Sequence, residues 1–125
     1  KSGLSEKEQQ DIHDMLNRLM EQEKPFTNPD LTLGEMAQQL DVHPNNLSQV
    51  INSVAQKNFY DFINSRRVEE FIYQAGQPEN QNFTLLSIAY ECGFNSKSSF
   101  NRNFRKITGL SPTEYLKHLR GSLND

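Results

Sequence analysis

Leu33, Met36, Ala37, Leu40 and Val42 recur 52 residues later as Leu85, Ile88, Ala89, Cys92 and Phe94. After one inserted residue, Leu47, Ile51, Val54, Asp61, Phe62 and Ile63 recur at a spacing of 53 as Phe100, Phe104, Ile107, Glu114, Tyr115 and Leu116. Eleven matched positions with one single-residue insertion mean that the chain is built from two copies of one supersecondary unit. Within each copy the apolar positions fall at i, i+3, i+4 and i+7, the period of a half-buried helix. Each copy therefore reads as helix, three-to-four-residue turn, helix, and the start of another helix, which is a helix-turn-helix pattern twice over.

The rest of the chain also reads as helix. Ser5 and Glu8 have capping-box spacing, followed by a stripe of Ile12, Met15, Leu16, Leu19 and Met20. Two prolines in "EKPFTNPD" break that pattern. Thr32 and Glu35 repeat the capping box, Pro44 suits a first helical position, and Thr84, Ser96 and Ser111 each suit a helix start. A helix from Tyr60 to Ala75 would be about 24 Å long. The second helix of the later unit is expected to bury Phe100, Phe104 and Ile107, and the final helix to use Tyr115, Leu116 and Leu119. The expected fold is all-α: two helix-turn-helix subdomains joined by a long connector helix, plus an extra N-terminal helix. The boundaries are 1–30 for the N-terminal helix and linker, 31–58 for the first unit and 59–77 for the connector. The second unit and final helix take 78–120, and 121–125 is a tail.

The charge is uneven. The chain carries −3, but residues 1–39 hold four basic and eight acidic side chains, whereas residues 40–120 hold nine basic and seven acidic. The segment "GFNSKSSFNRNFRK" has Lys97, Arg102, Arg105 and Lys106 and no acid. In a helix-turn-helix the second helix packs with one face and can enter a DNA major groove with the other. The outward residues are Asn45, Asn46, Ser48, Gln49 and Asn52 in the first unit, and Lys97, Ser98, Asn101, Arg102 and Arg105 in the second. Asn and Gln suit adenine, Arg and Lys suit guanine, and hydroxyls suit either. Neither set contains a carboxylate, which phosphate would repel. Base contacts are assigned to Asn45, Asn46, Ser48, Gln49, Lys97, Ser98, Asn101 and Arg102. Phosphate contacts are assigned to Ser96, Arg105, Ser111, Thr113 and Tyr60, the last three at helix starts whose backbone N–H groups suit phosphate. Lys106 is read as a surface lysine.

The second unit, "LLSIAYECGFNSKSSFNRNFRKITGLSPTEYLKHLR", resembles the AraC/XylS family of bacterial transcription regulators. The resemblance rests on Ile88–Ala89, Gly93–Phe94, Ser96 with Phe100, Phe104–Arg105–Lys106, and Gly109 with Pro112 and Tyr115. "LTLGEMAQQLDVHPNNLSQVIN" is similar too, but His43 stands where the family has a small capping residue such as Ser. The resemblance covers about residues 31–120. "KPFTNPDLTL" and "NFYDFINSRRVEE" are similar to the subgroup attached to large sensor proteins of Bacteroidetes-type bacteria. It implies a sequence-specific DNA-binding output domain, with two recognition helices in consecutive major grooves about one helical turn apart. The partner implied is double-stranded DNA, with RNA polymerase, an N-terminal sensor domain and a homodimer of a longer protein as further expectations. The location implied is cytoplasmic, the longer protein being of a kind that can be anchored in the inner membrane. The competing reading is a helical protein-interaction adaptor with the same fold and no sequence-specific DNA binding.

Other features exclude other classes. No apolar run reaches 18 residues, so no membrane contact is expected from this segment. The polar first residues carry no visible secretory signal, and the opening at Lys1 without Met raises the expectation of a piece of a longer protein. Cys92 is the single cysteine and matches Leu40 in the repeat, which makes it a core residue rather than a nucleophile. His13, His43 and His118 lack metal-ligand spacing, so no metal or cofactor is expected. No acid/base pair or phosphate loop is present, and no enzymatic activity is expected. Arg66 and Arg67 are expected to pair with Asp61, Glu69, Glu70 or another lobe.

Overall fold

The computed structural model describes residues 3–124, with side chains through Leu119. Lys1, Ser2 and Asp125 lie outside the described residues, so the charges at the two ends and the last residue of the expected tail have no structural description.

Among the described residues seven α-helices run in order: α1 (Glu6–Gln22), α2 (Leu33–Leu40), α3 (Pro44–Ser53), α4 (Phe59–Ala75), α5 (Leu85–Glu91), α6 (Lys97–Thr108) and α7 (Pro112–Asn124). Short 3₁₀ turns sit at Pro25–Thr27 and Pro78–Asn80, and no strand occurs among the described residues. The fold is all-α. Residues 121–124, expected as a tail, continue α7.

The helix starts follow from local chemistry. Ser5 Oγ accepts the Glu8 N–H at 3.1 Å, and Glu8 Oε1 accepts the Ser5 N–H at 2.9 Å. Thr32 and Glu35 form the same reciprocal pair at 3.1 and 2.9 Å. Each box satisfies two donors that a helix start leaves open. At α3 the cap is His43: its Nδ1 accepts the Asn45 N–H at 3.1 Å, with Pro44 at the first helical position. The imidazole thus does the work of the small capping residue that it replaces. Gly109 at φ 82 ends α6 in the left-handed region that favours glycine, while Asp41 ends α2 at φ 56.

The chain divides between Arg66 and Arg67 into two compact units, each with its own core. In the first, Ile12, Leu16 and Met20 of α1 are buried in one cluster with Met36, Ala37 and Leu40 of α2 and Leu47, Val50 and Ile51 of α3. Phe59, Phe62 and Ile63 from the first half of α4 complete it. The α1 stripe is therefore core, fully part of the first unit. Arg66 Nη2 adds a 2.6 Å hydrogen bond to Asn17 Oδ1 of α1, and its guanidinium lies over the Phe62 ring.

In the second unit, Val68, Phe71 and Ala75 from the other half of α4 join Ile88, Ala89, Cys92, Phe94, Phe100, Phe104 and Leu116. Phe71 packs against Phe100 at 4.8 Å with the rings tilted by 56° and meets Phe104 edge-on at 5.6 Å, and Phe104 also meets Tyr115 edge-on at 5.6 Å. Arg67 is buried, and desolvation pushes its guanidinium below the ordinary arginine value.

Two core assignments made from the sequence need correction. Ile107 and Leu119 are each 39% exposed. Ile107 lies one turn past the buried Phe104, where the stripe leaves the core; its repeat counterpart Val54, one turn past buried Ile51, is half-buried and still packs against the first core. Leu119 sits one turn past buried Leu116 in the same way.

Candidate nucleic-acid interface

α3 packs through Leu47, Val50 and Ile51, which are fully buried. The opposite side presents a shallow groove lined by Asn45, Ser48, Gln49, Asn52 and Ser53. Asn45 and Asn52 are exposed, while Ser48 and Gln49 are half-buried in the groove wall. Asn46 is half-buried and does not line it, so of the four base-contact residues assigned on this helix three share the groove.

α6 buries Phe100, Asn103 and Phe104 and leaves Lys97, Ser98, Asn101, Arg102 and Arg105 exposed. Asn103 is polar yet interior. Its Nδ2 donates to the Ser99 carbonyl at 2.9 Å and lies 3.3 Å from Ser99 Oγ, which satisfies the amide inside the unit. The usable signal was its match to Val50 at the 53-residue spacing.

The residues assigned to phosphate divide by what already occupies them. Ser96 Oγ accepts the Ser99 N–H at 3.1 Å, so its oxygen is used in capping α6. Ser111 Oγ accepts the Glu114 N–H at 3.1 Å, and its own N–H donates to Glu114 Oε1 at 2.8 Å. Thr113 is exposed, and Tyr60 is 68% exposed with its ring edge-on to Phe59. Asn58 Oδ1 accepts the Asp61 N–H at 2.8 Å, so the repeat carries the cap at the start of α4 as well as that of α7. Arg105 Nη2 lies 3.4 Å from Glu114 Oε1. Glu114 is held below the usual carboxylate range, first by the Ser111 backbone and hydroxyl and then by Arg105.

Neither α3 nor α6 contains a carboxylate, so both outward faces combine hydrogen-bonding groups with neutral or positive charge. Such faces can read base edges and hold phosphate. Among the described residues, no group of three or more His, Cys, Asp and Glu side chains is placed to hold a metal ion, and no helix is long and apolar enough to cross a membrane.

A duplicated helix-turn-helix whose second helices carry these faces defines a class, the helix-turn-helix DNA-binding domain. Residues 36–118 match the family described as "Helix-turn-helix domain", and the chain belongs to that family, in its AraC/XylS type. The family is one of DNA-binding transcription regulators and not of enzymes. The chain is 28% identical over 95 residues to the uncharacterized HTH-type transcriptional regulator YijO of Escherichia coli K12, covering 76% of this chain and 32% of the relative. It is 47% identical over 36 residues to the probable transcriptional regulator LumQ of Photobacterium leiognathi, which covers 29% of this chain and 14% of that protein. The chain thus spans a third or less of the length of these relatives.

The fold is shared with solved structures. The C-terminal domain of AraT, a response regulator from Geobacillus stearothermophilus, is 24% identical with a TM-score of 0.64, covering 86% of this chain and 84% of that one. A DNA-binding transcriptional dual regulator from Escherichia coli K-12 is 20% identical with a TM-score of 0.69, covering 86% and 90%. The helix α1 precedes the residues matched by the family.

Proposed function

We propose that this chain is the sequence-specific DNA-binding output domain of a transcription regulator, and that α3 and α6 are its two recognition helices. The observation that carries this reading is the repeated division of labour on those helices. Each buries one apolar face in its own unit, and each turns outward a face free of carboxylates. Asn45, Ser48 and Gln49 on α3, and Lys97, Ser98, Asn101 and Arg102 on α6, are the base-reading side chains, with Asn46 at the margin. Arg105, Thr113 and Tyr60 meet phosphate through their side chains. Ser96 and Ser111 do so through the helix starts that they cap.

The two faces differ in charge, and so in role. α3 is uncharged and discriminates by hydrogen bonds, whereas α6 brings Lys97, Arg102, Arg105 and Lys106 and supplies more of the electrostatic affinity. The two helices occupy consecutive major grooves of one duplex. The similar AraT fold is the C-terminal domain of a response regulator, which supports a position downstream of a sensing or receiver segment in a longer protein. RNA polymerase and a second copy of that longer protein are the further partners on this reading.

The test is binding to duplexes selected from a random pool at stated salt, followed by a salt titration. The reading expects one sequence to be enriched and affinity to fall steeply with salt. Binding that ignores both sequence and salt would point instead to a protein-docking adaptor.

A further inference from the structure

Ser53, the last residue of α3, donates its hydroxyl to Gln9 Oε1 of α1 at 2.8 Å, although it is also 2.8 Å from the Gln49 carbonyl. Ser53 lines the α3 groove beside Gln49 and Asn52. We propose that Gln9 is a positioning residue for sequence reading: α1 holds the C-terminal turn of α3 through the Gln9–Ser53 hydrogen bond and so fixes where Gln49 and Asn52 point. This rests on the reading of α3 as a recognition helix.

Three observations support it. First, α1 is held rigidly enough to act as a reference, because Ile12, Leu16 and Met20 are buried in the same core as the inner face of α3. Gln9 itself is half-buried, its Nε2 3.5 Å from the Leu4 carbonyl and its Oε1 accepting from Ser53. Second, the end of α3 needs a restraint. It is followed by Val54 in a helical conformation, with no left-handed residue there, and the chain reaches a left-handed turn only at Gln56, φ 58, a conformation that costs a non-glycine residue free energy. Third, one partner of the contact, Gln9, lies before residue 36, where the family match begins, whereas Ser53 lies within that match. The first reading helix of this chain is thus tuned by an element that the family match does not include.

The physical consequence is selective. A hydroxyl that loses Gln9 returns its proton wholly to the Gln49 carbonyl, the local alternative typical of Ser within a helix. The last turn of α3 then keeps its backbone bonds but loses its outside anchor. Reading by Gln49 and Asn52 blurs, while the hydrophobic packing of α1 is untouched.

The experiment measures affinity for the preferred duplex and for every single-base-pair variant of it, using the full chain carrying Gln9→Ala, Gln9→Glu, Ser53→Ala or Gln9→Ala with Ser53→Ala. Melting temperature is recorded alongside. Gln9→Ala is expected to lower discrimination about fivefold, the worth of one neutral hydrogen bond, only at base pairs sensitive to Gln49→Ala. Discrimination at base pairs sensitive to Arg102→Ala stays unchanged. Gln9→Glu keeps an acceptor and is expected to retain discrimination. The double variant is expected to match the singles, because both remove one contact. Unaltered discrimination in Gln9→Ala, loss in Gln9→Glu equal to that in Gln9→Ala, or additive losses would each overturn the proposal. A wild-type chain that shows no preferred duplex would instead overturn the recognition-helix reading, and this proposal with it.

Discussion

Arg105 and Glu114 meet at 3.4 Å, on the same carboxylate oxygen that accepts the Ser111 N–H at 2.8 Å. One carboxylate thus serves two ends, closing the capping box of α7 and partly neutralising a cation on the exposed face of α6. Phosphate would have to compete with it for Arg105. Glu114→Gln keeps an oxygen for Ser111 and removes the charge. The variant is expected to bind duplex DNA more tightly at low salt, with a salt slope steeper by about 1, measured by titrations across salt concentrations.

Glu8 and Glu114 are both held below the usual carboxylate range, each chiefly by the backbone N–H and then the hydroxyl of its capping serine. A carboxyl group whose pKa is lower in the folded state stabilises that state above its unfolded value. The gain disappears as pH falls through the folded value. Melting temperature is therefore expected to fall as pH drops below the ordinary carboxylate range, and less so in Glu8→Gln with Glu114→Gln. Both groups are exposed, so the difference is small and is read as a change in the slope of melting temperature against pH.

Leu16 is fully buried in α1, so Leu16→Ala is expected to cost ~2–5 kcal/mol, as a core deletion does. Phe104, equally buried and ringed by Phe71, Phe100 and Tyr115, is expected to cost ~3–5 kcal/mol on truncation to Ala. Chemical denaturation of the two variants checks both. A near-neutral Leu16→Ala would mean that α1 is an appendage.

The helices and their caps were legible because their causes are local. Ser5 with Glu8, Thr32 with Glu35, and the starts at Thr84, Ser96 and Ser111 are each decided within one turn, and the structure has all of them. The 52-to-53-residue repeat carried the core as well: Met36 and Ile88, Ala37 and Ala89, and Ile51 and Phe104 are buried in both copies. What was not legible depends on residues far apart in the chain. Arg66 bonds Asn17, 49 positions away, and Ser53 bonds Gln9, 44 away, and no periodicity encodes either. The exposure of Ile107 was hidden for the opposite reason: it keeps the helical period, but the core ends before it does. Of the candidate interface, the outward faces of α3 and α6 were readable from that period, whereas the Glu114 carboxylate beside Arg105 required the structure.

Asn101 is exposed in the middle of the outward face of α6. Asn101→Glu is expected to weaken DNA binding by about tenfold or more by bringing a carboxylate into the negative potential of the groove, with a melting temperature within a few degrees of wild type. Binding assays and thermal melts on the same preparation check both halves.

Selection from random duplexes at one fixed salt concentration, run in parallel with wild type, Gln49→Ala and Arg102→Ala, bears most directly on reading by two separate helices. Wild type is expected to enrich one site. Each variant should relax a different cluster of its base pairs, the clusters lying about 10 base pairs apart, with Arg102→Ala costing ~1–3 kcal/mol on the preferred site. Relaxation of the same base pairs by both variants, or no enrichment by wild type, would contradict it.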